Sequence, residues 1–149
     1  MYKMTEVYTE EFIKLERTIG DFLRKIRTRH IKDSHELGLS VPQFTCIWII
    51  SKMGRVKMSE VADVLALSYA SATNLINKLS DSGFTERYDD PKDRRIVYVE
   101  LTEKGKNLTD KIRNKHIVSF NKWYSKASEK EKEYILNGLN CVIDALISD

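Results

Sequence analysis

The chain has 149 residues, 42% hydrophobic and 32% charged, with a net charge of +3; this describes one globular domain able to bury a core without disulfide or metal staples. No apolar run reaches the roughly 18 residues that a membrane span requires, and the opening MYKMTEVYTEEF is acidic with no apolar core, so a cytoplasmic location is expected rather than secretion. The mildly basic balance permits a nucleic-acid partner without demanding one.

The first helix is expected over about residues 5–31, where Phe12, Leu15, Ile19, Phe22, Leu23 and Ile26 recur at spacings of three and four. The segment KDSHELGL reads as a loop. Ser40 with Gln43 matches a capping box, and Pro42 is tolerated in a first turn, so a second helix opens there. It runs through FTCIWIISKM, apolar nearly all round, to Gly54 and is the expected core helix. A short helix is expected near 58–66, and another, capped by Ser68, near 69–82 before Gly83. FTERY and IVYVEL then read as paired strands around the polar turn DDPKDRR. Thr102 caps a long helix from Glu103 with Leu108, Ile112, Ile117, Phe120 and Trp123 or Tyr124 as its apolar positions. Ser128 with Glu131 opens the last helix, where Ile135, Leu139, Val142 and Leu146 fall at heptad-like spacing, backed by Leu136, Ile143 and Ile147.

The amphipathic helices at the two chain ends carry more apolar surface than one compact middle can cover. A two-fold homodimer is the commonest answer, and it is expected here.

The middle of the chain holds EVADVLALSYASATNLINKL. Val61, Ala62 and Leu65 make the inner face of one helix, Ala66 to Ser68 the turn, and Ala72, Leu75, Ile76 and Leu79 the inner face of the next. That is a helix-turn-helix spacing. The outer face presents Tyr69, Ser71, Thr73, Asn74, Asn77 and Lys78, hydrogen-bonding groups and one cation suited to base edges and phosphates in a major groove. Ser68 at the helix N-terminus leaves backbone N–H groups for a phosphate. A hairpin follows directly, with adjacent arginines near its tip.

From Met58 to Gly105 the sequence resembles the MarR family of multiple-antibiotic-resistance regulators. The resemblance is carried by the Ala62 to Ser68 stretch, the Leu79 to Gly83 helix end, Glu86-Arg87, Asp93-Arg94-Arg95, and Leu101-Thr102 through Gly105. It implies a mainly α winged helix-turn-helix core with a small β-hairpin wing, flanked by N- and C-terminal dimerisation helices. The whole of 1–149 would form one domain, with about 5–31 and 103–147 for dimerisation and about 40–102 for the winged helix. The implied function is sequence-specific binding of near-palindromic double-stranded DNA by a regulator of transcription, a repressor released by a small-molecule ligand. Carried over, Arg94 reaches into a minor groove, Asp93 pairs with an arginine to orient the wing, and Arg87 and Arg95 join the DNA-contacting set.

The resemblance also implies a small aromatic or amphipathic effector between the dimerisation helices and the DNA-binding part, with Phe22, Ile26, His30 and Trp48 as its lining. Two departures stand out. Ala66 occupies the usual turn glycine, where a left-handed backbone penalises a Cβ, and Lys57 stands where a hydroxyl residue often caps. From Ser68 to Lys106 seven cations meet seven acids, so affinity must come from their placement, helped by Lys52, Arg55 and Lys57.

Other chemistry has less behind it. His30 and His35 flank a segment with Asp33 and Glu36, an N/O donor set for a metal-responsive version of the regulator. Cys46 and Cys141 lie in apolar stretches, where they read as reduced core residues or as redox sensors. No glycine-rich phosphate loop, serine elbow or carboxylate pair is visible, so neither an enzyme nor a cofactor is expected. A winged-helix module for protein–protein contact is the remaining alternative, and it has no need of tip arginines beside an aspartate.

Overall fold

The computed structural model describes residues 9–147, side chains through 145. The expected helix start near residue 5 and the side chains of Leu146 and Ile147 therefore lie outside the described residues. The elements are α1 (Glu10–Glu36), α2 (Val41–Met53), β1 (Val56–Lys57), α3 (Met58–Val64), α4 (Tyr69–Asp81), β2 (Thr85–Asp89), β3 (Val97–Leu101), α5 (Glu103–Tyr124) and α6 (Glu129–Ile147). This is the mainly α, winged helix-turn-helix class expected from the sequence. The chain divides after Lys106 into two compact units.

In the first unit α1 runs five residues past its expected end, through Lys32 to Glu36. The expected loop is helical because Asp33 and Ser34 are buried, and Ser34 Oγ donates to the Ile31 carbonyl at 2.8 Å. The helix closes where Gly38, at φ +65°, donates to His35 O and Leu39 N donates to Ser34 O, the double bond of a Schellman cap. The α4 helix closes the same way on Gly83 (φ +75°), with Gly83 N to Ser80 O and Phe84 N to Leu79 O. So does α3, but on Ala66 (φ 51°), with Ala66 N to Asp63 O and Leu67 N to Ala62 O. Ala66 is the only non-glycine residue of positive φ among the described residues. The departure seen in the sequence is thus an alanine in a glycine's cap.

Helix α2 opens on the Ser40–Gln43 box, with Ser40 N to Gln43 Oε1 at 2.9 Å and Gln43 N to Ser40 Oγ at 3.4 Å. It buries Phe44, Cys46, Ile47 and Ile50. Val61 and Ala62 of α3, Ala72, Ile76 and Leu79 of α4, and Val99 and Leu101 of β3 are buried with them. Each large aliphatic side chain contributes about 1.5–3 kcal/mol on leaving water, so this is where the unit gets its stability. The sheet has the order β1-β3-β2, all antiparallel, with Val56 opposite Val99 and Arg87 opposite Val99 on the other side. Strand β1 was not expected; two residues are too few to show a period.

Gly105 is required for space. A Cβ there would stand 2.3 Å from the Phe84 carbonyl oxygen. The close approach follows from Thr102, whose Oγ1 donates to Gly83 O at 2.6 Å and accepts from Gly105 N at 3.2 Å. The first turn of α5 is thereby fastened to the α4–β2 junction.

The second unit begins at Asn107 and contains most of α5 and all of α6. The Ser128–Glu131 box starts α6 as expected, with Ser128 N to Glu131 Oε2 at 2.8 Å. Phe120, Trp123 and Tyr124 form an aromatic cluster that lines an open groove with Ile135, Leu136 and Leu139, and all six side chains are exposed. Cys141 is exposed too. It is not the core residue its apolar neighbours suggested, because α6 shows apolar side chains to solvent on more than one side.

Candidate nucleic-acid interface

The residues singled out on the helix-turn-helix lie on α4 and its cap. Ser68 Oγ accepts from Ser71 N at 3.2 Å and donates to Ser71 Oγ at 2.9 Å, so the N-terminal turn is held by two serines. Tyr69 is exposed, and its carbonyl accepts from Thr73 Oγ1 at 2.8 Å; Thr73 is half-buried and spends its donor on the helix itself. Asn74, Asn77 and Lys78 are exposed. Ser71, Asn74 and Lys78 line one side of an open groove of about 490 Å³, with Ser40, Pro42 and Gln43 of the α2 start on the other. Leu67 and Leu75 complete the lining, so polar groups and one cation rim a largely apolar floor.

The wing is shaped by carboxylates. Asp90 Oδ1 accepts from Lys92 N at 2.7 Å and Asp93 N at 3.0 Å, turning the chain after β2. Asp93 then holds Arg95 by three bonds at 3.0 Å: Arg95 N and Nε to Oδ1, and Nη2 to Oδ2. These bonds, the side-chain pair first, hold the Asp93 carboxyl below the usual aspartate range. Arg94, between them, is exposed and makes no ion pair or hydrogen bond with any described residue. One aspartate thus engages the second of two neighbouring arginines and not the first.

Arg87, expected among the DNA-contacting residues, is engaged with the recognition helix. It lies on β2, and its Nη1 donates to Asn77 Oδ1 on α4 at 2.7 Å. Arg55, expected as a supporting cation, is engaged with the hairpin: its guanidinium lies 5.0 Å from the Tyr88 ring centre and 4.9 Å from that of Tyr98, which face each other across β2 and β3. Lys52 lies over the Trp48 ring at 5.0 Å. Lys57 precedes α3, where Glu60 reaches back to its N–H at 2.8 Å, so the missing hydroxyl cap is partly replaced. Glu86 faces Glu100 across the strands. The two carboxylates beside the Tyr88 hydroxyl, Glu86 foremost, push its pKa up to about 12.

Of the expected effector lining, His30 and Trp48 are brought together by Phe44, edge-on to the first at 5.5 Å and stacked on the second at 6.4 Å. Phe22 and Ile26 lie further up α1 and are exposed. Cys46 is fully buried, and burial pushes its thiol up to about 12, far from the thiolate a redox sensor needs. Among the described residues no three His, Cys, Asp or Glu side chains gather as metal donors, and no helix is long and apolar enough to cross a membrane.

The sequence profile of the MarR family matches residues 39–97. Over 131 residues the chain is 30% identical to the HTH-type transcriptional regulator YkoM of Bacillus subtilis, covering 88% of this chain and 85% of that one. The chain belongs to the MarR family. Solved structures agree with this MarR-family assignment. The fold is similar to that of FabT from Streptococcus pneumoniae, solved in complex with DNA (25% identity, TM-score 0.73, covering 89% of this chain and 98% of FabT). It is also similar to AbsC, a MarR-family transcriptional regulator from Streptomyces coelicolor (20% identity, TM-score 0.71, covering 97% and 100%). As a member of this family the protein is a transcriptional regulator.

Proposed function

We propose that the chain acts as a cytoplasmic two-fold homodimer that binds near-palindromic double-stranded DNA. In this reading α4 enters a major groove with Ser71, Asn74, Asn77 and Lys78, and Ser68, Tyr69 and Thr73 shape its N-terminal end. Arg94 enters the neighbouring minor groove, with Arg95 held back by Asp93 and Arg87 supporting α4 from the wing. The observation that carries it is the difference between two adjacent arginines at the wing tip: Arg95 is tied to the Asp93 carboxylate, while Arg94 is exposed and makes no ion pair or hydrogen bond with any described residue. A minor groove attracts an arginine of this kind electrostatically. FabT, which shares the fold, has been solved with DNA.

The dimer is supported by exposed Phe12, Leu15, Phe22 and Leu23 on α1 and Leu136, Leu139 and Ile143 on α6; isolated exposed hydrophobes are ordinary, runs of them are interfaces. The protein would bind rather than catalyse, as a repressor released by a small aromatic or amphipathic effector seated near Phe22, Ile26, His30 and Trp48. All of 1–149 would then serve as one functional domain.

The test is selection from random duplexes followed by footprinting. Two related half-sites about one helical turn apart, roughly 34–36 Å, with two chains per site, are expected. A single asymmetric half-site bound by one chain contradicts the reading.

A further inference from the structure

Arg87 and Asn77 lie ten positions apart in the sequence and on different elements, yet Arg87 Nη1 donates to Asn77 Oδ1 at 2.7 Å. The bond belongs to a repeated seam. Two residues before Arg87 on β2, buried Thr85 meets Ser80 of α4, hydroxyl to hydroxyl at 3.0 Å. A step of two along the strand thus meets a step of three along the helix, and both steps keep the side chains on one face. Arg87 is further fixed by its register opposite buried Val99.

A guanidinium has five N–H donors and no acceptor. Its contact therefore decides which way the Asn77 amide points: Oδ1 toward Arg87 and the two N–H groups of Nδ2 away from it. Turning the amide over would set donor against donor. We infer that Arg87 is a positioning residue that fixes Asn77 as a hydrogen-bond donor toward the base it meets, so that position 77 selects base edges bearing acceptors and rejects cytosine. The inference rests on the proposed role of α4 in a major groove.

The base edges make the consequence specific. Guanine offers the acceptors N7 and O6 there, thymine O4, and adenine N7 beside its N6 donor; cytosine alone offers no acceptor, only the N4 donor. An unrestrained asparagine could meet either kind by a half-turn of its amide. With Arg87 in place, the charge-assisted bond opposes that half-turn.

The test compares base preferences selected by the full chain, Arg87→Met and Asn77→Asp. The unaltered protein is expected to exclude cytosine at one position of each half-site. Arg87→Met should relax that position alone, by about tenfold, with the salt dependence of affinity unchanged. Asn77→Asp still accepts from Arg87 but offers the base only an acceptor, so the same position should move toward cytosine. A uniform loss of affinity in Arg87→Met, with the salt slope reduced by about one, would identify a phosphate contact and overturn the proposal. Should Arg87→Met not fold, a preference that stays in place in Asn77→Asp overturns it equally. If the unaltered chain selects no motif, the reading of α4 itself fails, which is a different result from a motif indifferent to Arg87.

Discussion

Asp93 grips Arg95 through two parallel bonds, Nε to Oδ1 and Nη2 to Oδ2, both at 3.0 Å, and this leaves Arg94 outside the pair. An arginine–carboxylate fork is planar and directional, so it fixes the local backbone as well as neutralising charge. Arg94→Ala should weaken binding to every DNA site and lower the salt slope by about one phosphate-equivalent. Asp93→Ala should also weaken binding, although removing a negative charge from a DNA-binding surface would by itself strengthen it. Titrations by fluorescence anisotropy at several salt concentrations decide the point. Tighter binding by a folded Asp93→Ala protein would show that the aspartate is merely nearby.

The same fork predicts a titration. The Asp93 carboxyl is depressed, first by the Arg95 side chain and then by its backbone N–H. A depressed carboxyl supports the folded wing above the ordinary aspartate pKa, and that support is lost as pH falls through the lowered value. In a carboxyl-carbon NMR titration Asp93 should have its midpoint below about 3.9, and Arg95→Gln should move it back up. A midpoint already at the ordinary value would mean that the fork does not persist in solution.

Ala66 closes α3 with the geometry that glycines supply at the ends of α1 and α4. A Cβ in the left-handed region costs about 1–2 kcal/mol, part of which glycine gives back as extra freedom of the unfolded chain. Ala66→Gly should therefore raise stability by about 0.5–1 kcal/mol, read as a higher urea midpoint with an unchanged slope. A lower midpoint would show that the turn tolerates the alanine without strain.

Cys46 is fully buried and its thiol is pushed up to about 12. At pH 8 almost none of it is thiolate, the reactive form. Alkylation of the native protein followed by mass spectrometry should leave Cys46 unmodified until denaturant is added. Rapid native labelling at Cys46 would reopen the redox reading.

Most of what could be read in advance was local. The Ser40–Gln43 and Ser128–Glu131 boxes, the Ser68 and Thr102 caps and the glycine after α4 each depend on residues within a few positions of one another, so the sequence displays them. The end of α1 was misread because Asp33 and Ser34 look like loop residues and are buried by tertiary packing. The site divides along the same line. Asp93 and its arginines are adjacent, so a pairing of Asp93 with an arginine was legible, but that the partner is Arg95 comes from the structure. Arg87 with Asn77, and Arg55 with the two tyrosines, exist only because strands β1 to β3 pack where they do, and no spacing along the chain announces them.

The seam between β2 and α4 has a consequence for how tightly the protein can hold a duplex. Ser80–Thr85 and Asn77–Arg87 fasten the hairpin to the helix, and β1 pins β3 from the other edge. If α4 and Arg94 address adjacent grooves, they do so as two teeth of a chelate. Once either engages, geometry rather than diffusion sets the local concentration of the other, on the order of millimolar or more for a short tether. Two individually feeble grips then multiply, and much of the order that binding would otherwise impose on the wing is already present in the fold.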